Sequence, residues 1–342
     1  MTMQATNSPS AAPDKAGLAR GVLTTVLKSR TTPIFGVLLV LFAVFSVLEP
    51  NAFPQLTNAQ NMLSDAAILL VLAVGSTYVL LTAGIDLSIN GVLVFSGVIA
   101  AKTMGAVGGS GMRTLLLGLL VSLLAGLAWG LLNGFLVAVA KVPALIVTLG
   151  TLGMSLGAAL LITKGIDITD IPINLTTGLG AGRIWGIPWL AVVALIVALI
   201  GGITLSQTRF GRYTYAAGSQ AEALRRSGVS TARHLVKVYA IAGLLAGLAG
   251  YLNLARFATT TIGGHSTDNL QVIAAVVIGG TSLFGGIGGI LGSIVGVFIP
   301  VVLQNGFVIL GLSPFWQQVA VGAVLIAAVY VDQLRRRSRE LG

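Results

Sequence analysis

The chain has 342 residues, 55% hydrophobic and only 9% charged, with a mean hydropathy of +0.95 and no cysteine. Soluble domains carry roughly 25% charged residues, so this composition excludes a protein whose surface mostly faces water, and the missing thiols exclude disulfides and thiolate chemistry. The net charge of +10 does not mark a nucleic-acid binder, because the cations flank apolar runs, where they act as topology signals and face anionic lipid.

Residues 1–32 are polar and carry Lys15, Arg20, Lys28 and Arg30. They read as a cytoplasmic tail with a short amphipathic helix over 15–28. The first apolar run, 33–49, leads into Glu49-Pro50-Asn51-Ala52 rather than a small-residue cleavage site, so it reads as a retained first span and not a signal peptide. Nine further spans follow at 63–83, 86–105, 114–140, 144–163, 187–206, 233–256, 268–284, 287–307 and 314–332. Each approaches the ~20 residues that a helix needs to cross ~30 Å of hydrocarbon. Only helices or closed barrels satisfy their backbone in lipid, and no alternating ten-residue pattern is present. The expectation is an all-α membrane protein of about ten transmembrane helices, with a transmembrane domain over 33–332 and a basic cytoplasmic tail at 333–342.

The eighth span is the least regular. Gly279-Gly280-Thr281-Ser282 and Gly285-Gly286 interrupt it, and a broken or re-entrant segment is the alternative there. The chain holds 45 glycines. Spacings such as Gly126-xxx-Gly130-xxx-Gly134 and Gly288-xxx-Gly292-xxx-Gly296 fit close helix–helix packing in a membrane. With the N-terminus inside, four cations in the first tail, Lys141, six from Arg209 to Lys237 and four from Arg335 to Arg339 fall on the cytoplasmic side. That is fifteen of the 20 Lys and Arg. Lys102, Arg113, Lys164, Arg183 and Arg256 fall outside. The bias predicts both termini in the cytoplasm. The longest hydrophilic stretches are 164–186, outside, and 206–233, inside, and neither is long enough for a soluble domain.

The 206–233 loop is the most informative segment off the spans. It runs Arg209-Phe210-Gly211-Arg212-Tyr213-Thr214-Tyr215-Ala216-Ala217-Gly218-Ser219, then Gln220-Ala221-Glu222-Ala223-Leu224-Arg225-Arg226-Ser227-Gly228. Ser219 and Glu222 are spaced as a capping box, Gly228 as a left-handed stop, and Arg225 and Arg226 as cations in the last turn. This predicts a helix of about two turns, too short to stand alone in water, which must dock on something: a soluble motor or the lipid surface. Ser230 is placed to cap the next helix.

This loop resembles the coupling loop of permeases from ribose-, xylose- and galactose-type ABC importers, with its Arg-x-Gly-Arg-x-x-Tyr-Ala-x-Gly pattern. Gly84-Ile85-Asp86-Leu87-Ser88, the run from Val142-Pro143-Ala144 to Thr148-Leu149-Gly150, and the run from Ile273 to Leu283 with Gly285-Gly286 are similar to further segments of that family, in the same order. Where the family has an acidic residue before the last block, this chain has Asn269 beside Asp268.

The resemblance implies the permease subunit of an ATP-driven, binding-protein-dependent sugar importer in the bacterial inner membrane. It implies a second permease, identical or different, an extracytoplasmic sugar-binding protein, and cytoplasmic ABC ATPases. Those ATPases would carry the ATP and magnesium and grip Arg209, Gly211, Arg212, Ser219, Glu222, Ala223, Arg225, Arg226 and Gly228. It also implies two halves, spans 2–5 and 7–10, built as inverted copies.

The residues themselves agree that ATP hydrolysis belongs elsewhere. None of the six lysines follows a glycine, as a P-loop requires. No catalytic constellation is evident, so no enzymatic activity is expected of this chain, and the two histidines, His234 and His265, lack the neighbours of a metal site. Asp86 with Ser88 reads as a cap at the start of span three, or as a gate or proton-binding group; Gly279 and Gly280 read as structural or gating. Span residues able to line a weakly polar path for a neutral sugar are Asn90, Asn133, Thr148, Thr151, Gln304 and Asn305. Each is equally able to form an interhelical hydrogen bond, worth about 0.6 kcal/mol on average. Other cargoes remain open: nucleosides, polyols, autoinducers or branched-chain amino acids. An ATP-independent channel or secondary carrier is disfavoured, because no acid–base pair lies mid-span.

Overall fold

The structure is a computed structural model. It describes residues 32–313 except Ser266, together with scattered helical positions between Trp316 and Gln333. The N-terminal tail with its expected helix over 15–28, the C-terminal tail after Gln333 and much of span 314–332 lie outside the described residues.

The described chain is predominantly helical. In order come α1 (Thr32–Leu48), α2 (Leu56–Leu81), α3 (Ile89–Val107), α4 (Met112–Ala138) and α5 (Ala144–Thr163). After a π-helical turn (Leu175–Gly180) and a two-stranded hairpin, β1 (Arg183–Ile184) with β2 (Ile187–Pro188), come α6 (Trp189–Gln207), α7 (Arg209–Ser219), α8 (Ala221–Arg226), α9 (Thr231–Phe257), α10 (Asp268–Ile278) and α11 (Ile290–Ile309). Seven of these, α2 to α6, α9 and α11, are long and apolar enough to cross a membrane.

The hub is α2. Every residue from Ala66 to Leu81 is buried, with α6, α9, α10 and α11 packed around it, as expected of a helix that is apolar all round. The outer helices invert the soluble pattern. Leu116, Leu120 and Leu124 on α4, and Leu195, Leu199 and Ile203 on α6, form exposed stripes at four-residue spacing. Apolar stripes of that length on the outside belong against lipid.

The expected glycine faces are where helices meet most closely. On α4, Cβ atoms added at Gly126 and Gly130 would lie 2.2 and 2.4 Å from the carbonyl oxygens of Gly243 and Tyr239 on α9. At Gly292 and Gly296 on α11 they would lie 1.9 and 2.0 Å from the Gly279 and Ala275 oxygens. The backbones touch directly, so only glycine fits.

The eighth span is the broken one. Its helix, α10, is 11 residues long and covers only about 16 Å at 1.5 Å per residue, roughly half the ~30 Å core. The expected range of 268–284 is therefore too long. Gly279 closes the helix and Gly280 takes a positive φ of 91°, turning the chain through 279–289 into α11. The third span starts later than 86, at Ile89, and the second earlier than 63, at Leu56, where polar Asn58 and Gln60 find partners across the bundle.

Candidate functional site

At one end of the bundle the 206–233 loop folds into two consecutive helices. Thr208 is extended, and its hydroxyl accepts the Gly211 N–H at 3.3 Å, capping α7. The spacing Phe210, Thr214, Ala217, Gly218 lays one face of α7 on the bundle. Phe210 sits 4.7 Å from the His234 ring and 6.0 Å from Tyr78. Thr214 bonds His234 Nε2 at 3.0 Å, and the Tyr215 hydroxyl donates to the Gly288 carbonyl at 2.8 Å. Two glycines make the seat close enough: Cβ atoms at Gly211 and Gly218 would each lie 1.9 Å from a carbonyl oxygen, of Leu205 and Leu81 respectively. Arg209 and Arg212 occupy the opposite, exposed face.

The chain then kinks at Gln220 (φ −150°, ψ 67°) and forms α8. This corrects the expected capping box. Ser219 is the last residue of α7, with its hydroxyl donating to the Tyr215 carbonyl, and the N-cap position of α8 falls on Gln220, which makes no side-chain cap bond. Glu222 turns forward instead, bonding Arg225 at 2.9 and 3.0 Å and Arg226 at 3.2 Å. Those two guanidinium groups hold the Glu222 carboxyl below its ordinary value. Gly228 does take a left-handed φ of 83°, and Ser230 accepts the Arg233 N–H at the start of α9. Leu224 alone anchors α8 by burial. Arg209, Arg212, Ser219, Glu222, Ala223, Arg225, Arg226 and Gly228 are all exposed on this end, and Gly211 is buried beneath them.

Close by, between α2 and α3, the buried Asp86 accepts the backbone N–H of Ser88 at 2.9 Å and its hydroxyl at 2.6 Å. This is an Asx turn leading into α3 rather than a direct helix cap. Asn133 of α4 donates in turn to the Ser88 hydroxyl at 2.8 Å.

Most of the residues considered for a transport path make hydrogen bonds within the chain. Asn90 donates to the His265 carbonyl at 2.9 Å, and Thr148 and Thr151 bond carbonyls of their own helix or of Ile85. Asn305 exchanges two amide bonds with Asn58, at 2.8 and 2.9 Å. Gln304 differs: its side chain is exposed and borders a polar cavity at the end opposite α7.

Near that cavity are pairs that sequence reasoning missed. Arg256 of α9 bonds Asp65 of α2 at 2.9 Å, and His265 Nδ1 meets Asp268 at 2.6 Å. Asp167 accepts the Thr260 hydroxyl at 2.7 Å and the Ile262 N–H at 2.8 Å, clasping two loops. The partners in the first and third cases are over ninety positions apart in the chain, and nothing in the local sequence links them.

The model of the branched-chain amino acid transport system / permease component family matches residues 58–329. The chain belongs to this permease family. It is 37% identical to the ribose import permease protein of Escherichia coli strain K12 over 302 residues, covering 87% of this chain and 92% of that one. It is 33% identical to the D-allose transport system permease of the same strain, over 88% and 90%. It is 34% identical to the autoinducer 2 import permease of Photorhabdus luminescens, over 86% and 87%. No solved structure matches the chain. Membership and the seven long apolar helices make this a multi-pass inner-membrane permease.

Proposed function

We propose that this permease imports a sugar, driven by ATP that a separate ABC ATPase hydrolyses with magnesium, and supplied by an extracytoplasmic binding protein. The observation that carries the reading is the α7–α8 pair. Its inner face is locked into the bundle by Gly211, Gly218, Thr214 and Tyr215, while its outer face offers four arginines and one glutamate to a partner. A lipid-facing surface helix needs no such rigid seat; a helix that transmits force does. The relatives named for ribose and allose favour a monosaccharide cargo.

On this reading the basic end is cytoplasmic, ten spans bring both termini to that side, and residues 1–32 and 333–342 flank the transmembrane domain there. A second permease subunit, the same or a different chain, completes the translocation path. The test is deletion of Gln220 to Ser227 in the assembled transporter. Uptake and ATPase co-purification are expected to vanish while membrane insertion persists. Unchanged uptake would refute the coupling role, and uptake by this chain alone in proteoliposomes would refute the need for ATP.

A further inference from the structure

α10 is only half a span long, and an open space lies at its N-terminal end, beside the loop that follows α9. That space is a cavity of about 450 Å³, within the ~300–1,000 Å³ range of small-molecule sites. Its lining is drawn from α2, α9, α10 and α11, from the loop before α10, and from Gln318 beyond α11. Asp65 comes from α2, Arg256 from α9, His265 from the loop, Asp268 and Gln271 from α10, and Gln304 from α11.

The charges in this lining are paired among themselves. Arg256 Nε lies 2.9 Å from Asp65 Oδ1, and His265 Nδ1 lies 2.6 Å from Asp268 Oδ2. The cavity therefore offers many hydrogen-bond donors and acceptors, with each of its four ionisable side chains already bonded to another. The Thr267 hydroxyl accepts from the Gln271 amide at 3.3 Å, leaving that amide's oxygen as an acceptor facing the same region. Gln304 is exposed and borders the cavity. Beside the ion pair, the half-exposed Phe257 ring adds an apolar wall, with the Arg256 guanidinium 5.9 Å from its centroid.

Planar carboxylate, guanidinium and carboxamide groups around one aromatic wall suit a neutral polyhydroxylated ring. Its hydroxyls donate and accept at once, and its C–H face packs on an arene. A helix beginning inside the bundle, with its N-terminal groups at the cavity floor, is also how membrane transporters build solute sites from interrupted spans.

We propose that this cavity is a binding station for a monosaccharide within the permease itself, so that the subunit reads its cargo instead of only opening a passage. The proposal rests on the sugar-importer reading above. Gln304 is the discriminating position, since it is exposed and bonds no other described residue through its side chain; Gln304→Leu removes hydrogen bonding at nearly constant size.

The experiment uses the complete transporter in proteoliposomes, with D-ribose, D-allose and L-leucine as probes. The wild type is expected to take up at least one of the two sugars. Gln304→Leu is expected to slow that uptake about tenfold at sub-saturating sugar, the consequence of roughly one lost hydrogen bond to the solute. Co-purification of the ATPase and thermal stability are expected to match the wild type, which separates lost recognition from lost folding. A second variant, Gln271→Leu, is expected to act in the same direction. Wild-type sugar uptake in both variants would overturn the binding station and leave the importer reading standing. Uptake of L-leucine but neither sugar by the wild type would overturn the sugar reading and this proposal together.

Discussion

Replacing Gly218 by alanine sets two physical effects against each other. Gly218 lies in α7, where alanine is the better helix former by about 1 kcal/mol, so local propensity alone predicts stabilisation. The structure predicts the opposite sign. The new Cβ would lie 1.9 Å from the Leu81 carbonyl oxygen and 2.8 Å from the Gly286 nitrogen, against an ordinary contact of at least 3.4 Å. Both neighbours are backbone, so neither can rotate away, and α7 must retreat by about 1.5 Å. The same Leu81 oxygen accepts the Gly286 N–H at 2.9 Å. Overpacking at about 1–3 kcal/mol and damage to a buried hydrogen bond at about 1–3 kcal/mol outweigh the propensity gain, for a net local cost of ~1–5 kcal/mol. The seven long spans do not depend on that contact, so the variant should still insert. Sugar uptake and sugar-stimulated ATP hydrolysis by the assembled transporter should fall at least about tenfold. Gly105→Ala is the control, since nothing lies within 4 Å of its Cβ position, and it should be neutral or slightly stabilising. Wild-type coupling in Gly218→Ala would refute the claim that α7 is rigidly seated.

At Gly243 on α9 a Cβ would lie 2.3 Å from the Gly126 oxygen and 2.6 Å from the Gly130 Cα. Gly243→Ala should therefore pry α4 from α9, cost ~2–4 kcal/mol, and lower the detergent melting temperature and the yield of folded protein. The Glu222 carboxyl is held below its ordinary value of 4.5 by Arg225 and Arg226. Its ion pairs are then fully formed above that value and are lost only as pH falls through the depressed pKa. Titrating ATPase co-purification should show no change from this group between about pH 5 and 8, and Glu222→Gln should not introduce a pH dependence there.

Much of the fold was legible in the sequence because hydropathy and length answer to the bilayer. The long spans are apolar runs, and the Gly126 and Gly292 faces follow the small-residue spacing that close helices require. What escaped depends on tertiary context. Ser219 and Glu222 have capping-box spacing, but Gly218 and Tyr215 draw α7 onto the bundle and extend that helix through Ser219, so the box never forms. The interruption at Gly279-Gly280-Thr281-Ser282 was visible in the sequence as an irregular span, and the contact of Gly279 with Gly292 shows that the helix stops there. At the site the arginines and the glycines of the loop were readable as a motif, whereas their division into an outward face and a buried seat was not. Five of the six path candidates each make a side-chain hydrogen bond within the chain, which the sequence alone did not assign to a particular partner. Asp65 with Arg256 needed the folded chain to bring them together.

The turn at 279–289 joins two parts of the molecule that would otherwise be remote. Its Gly286 N–H is pinned to the end of α2, its Gly288 carbonyl to Tyr215 of α7, and its first residue closes the helix whose other end floors the cavity. A displacement of α7 must therefore either drag this turn along or break the Tyr215–Gly288 hydrogen bond. On the proposed reading, the stub of a helix behind it, about 16 Å long, is a short rod between the coupling surface and the cavity.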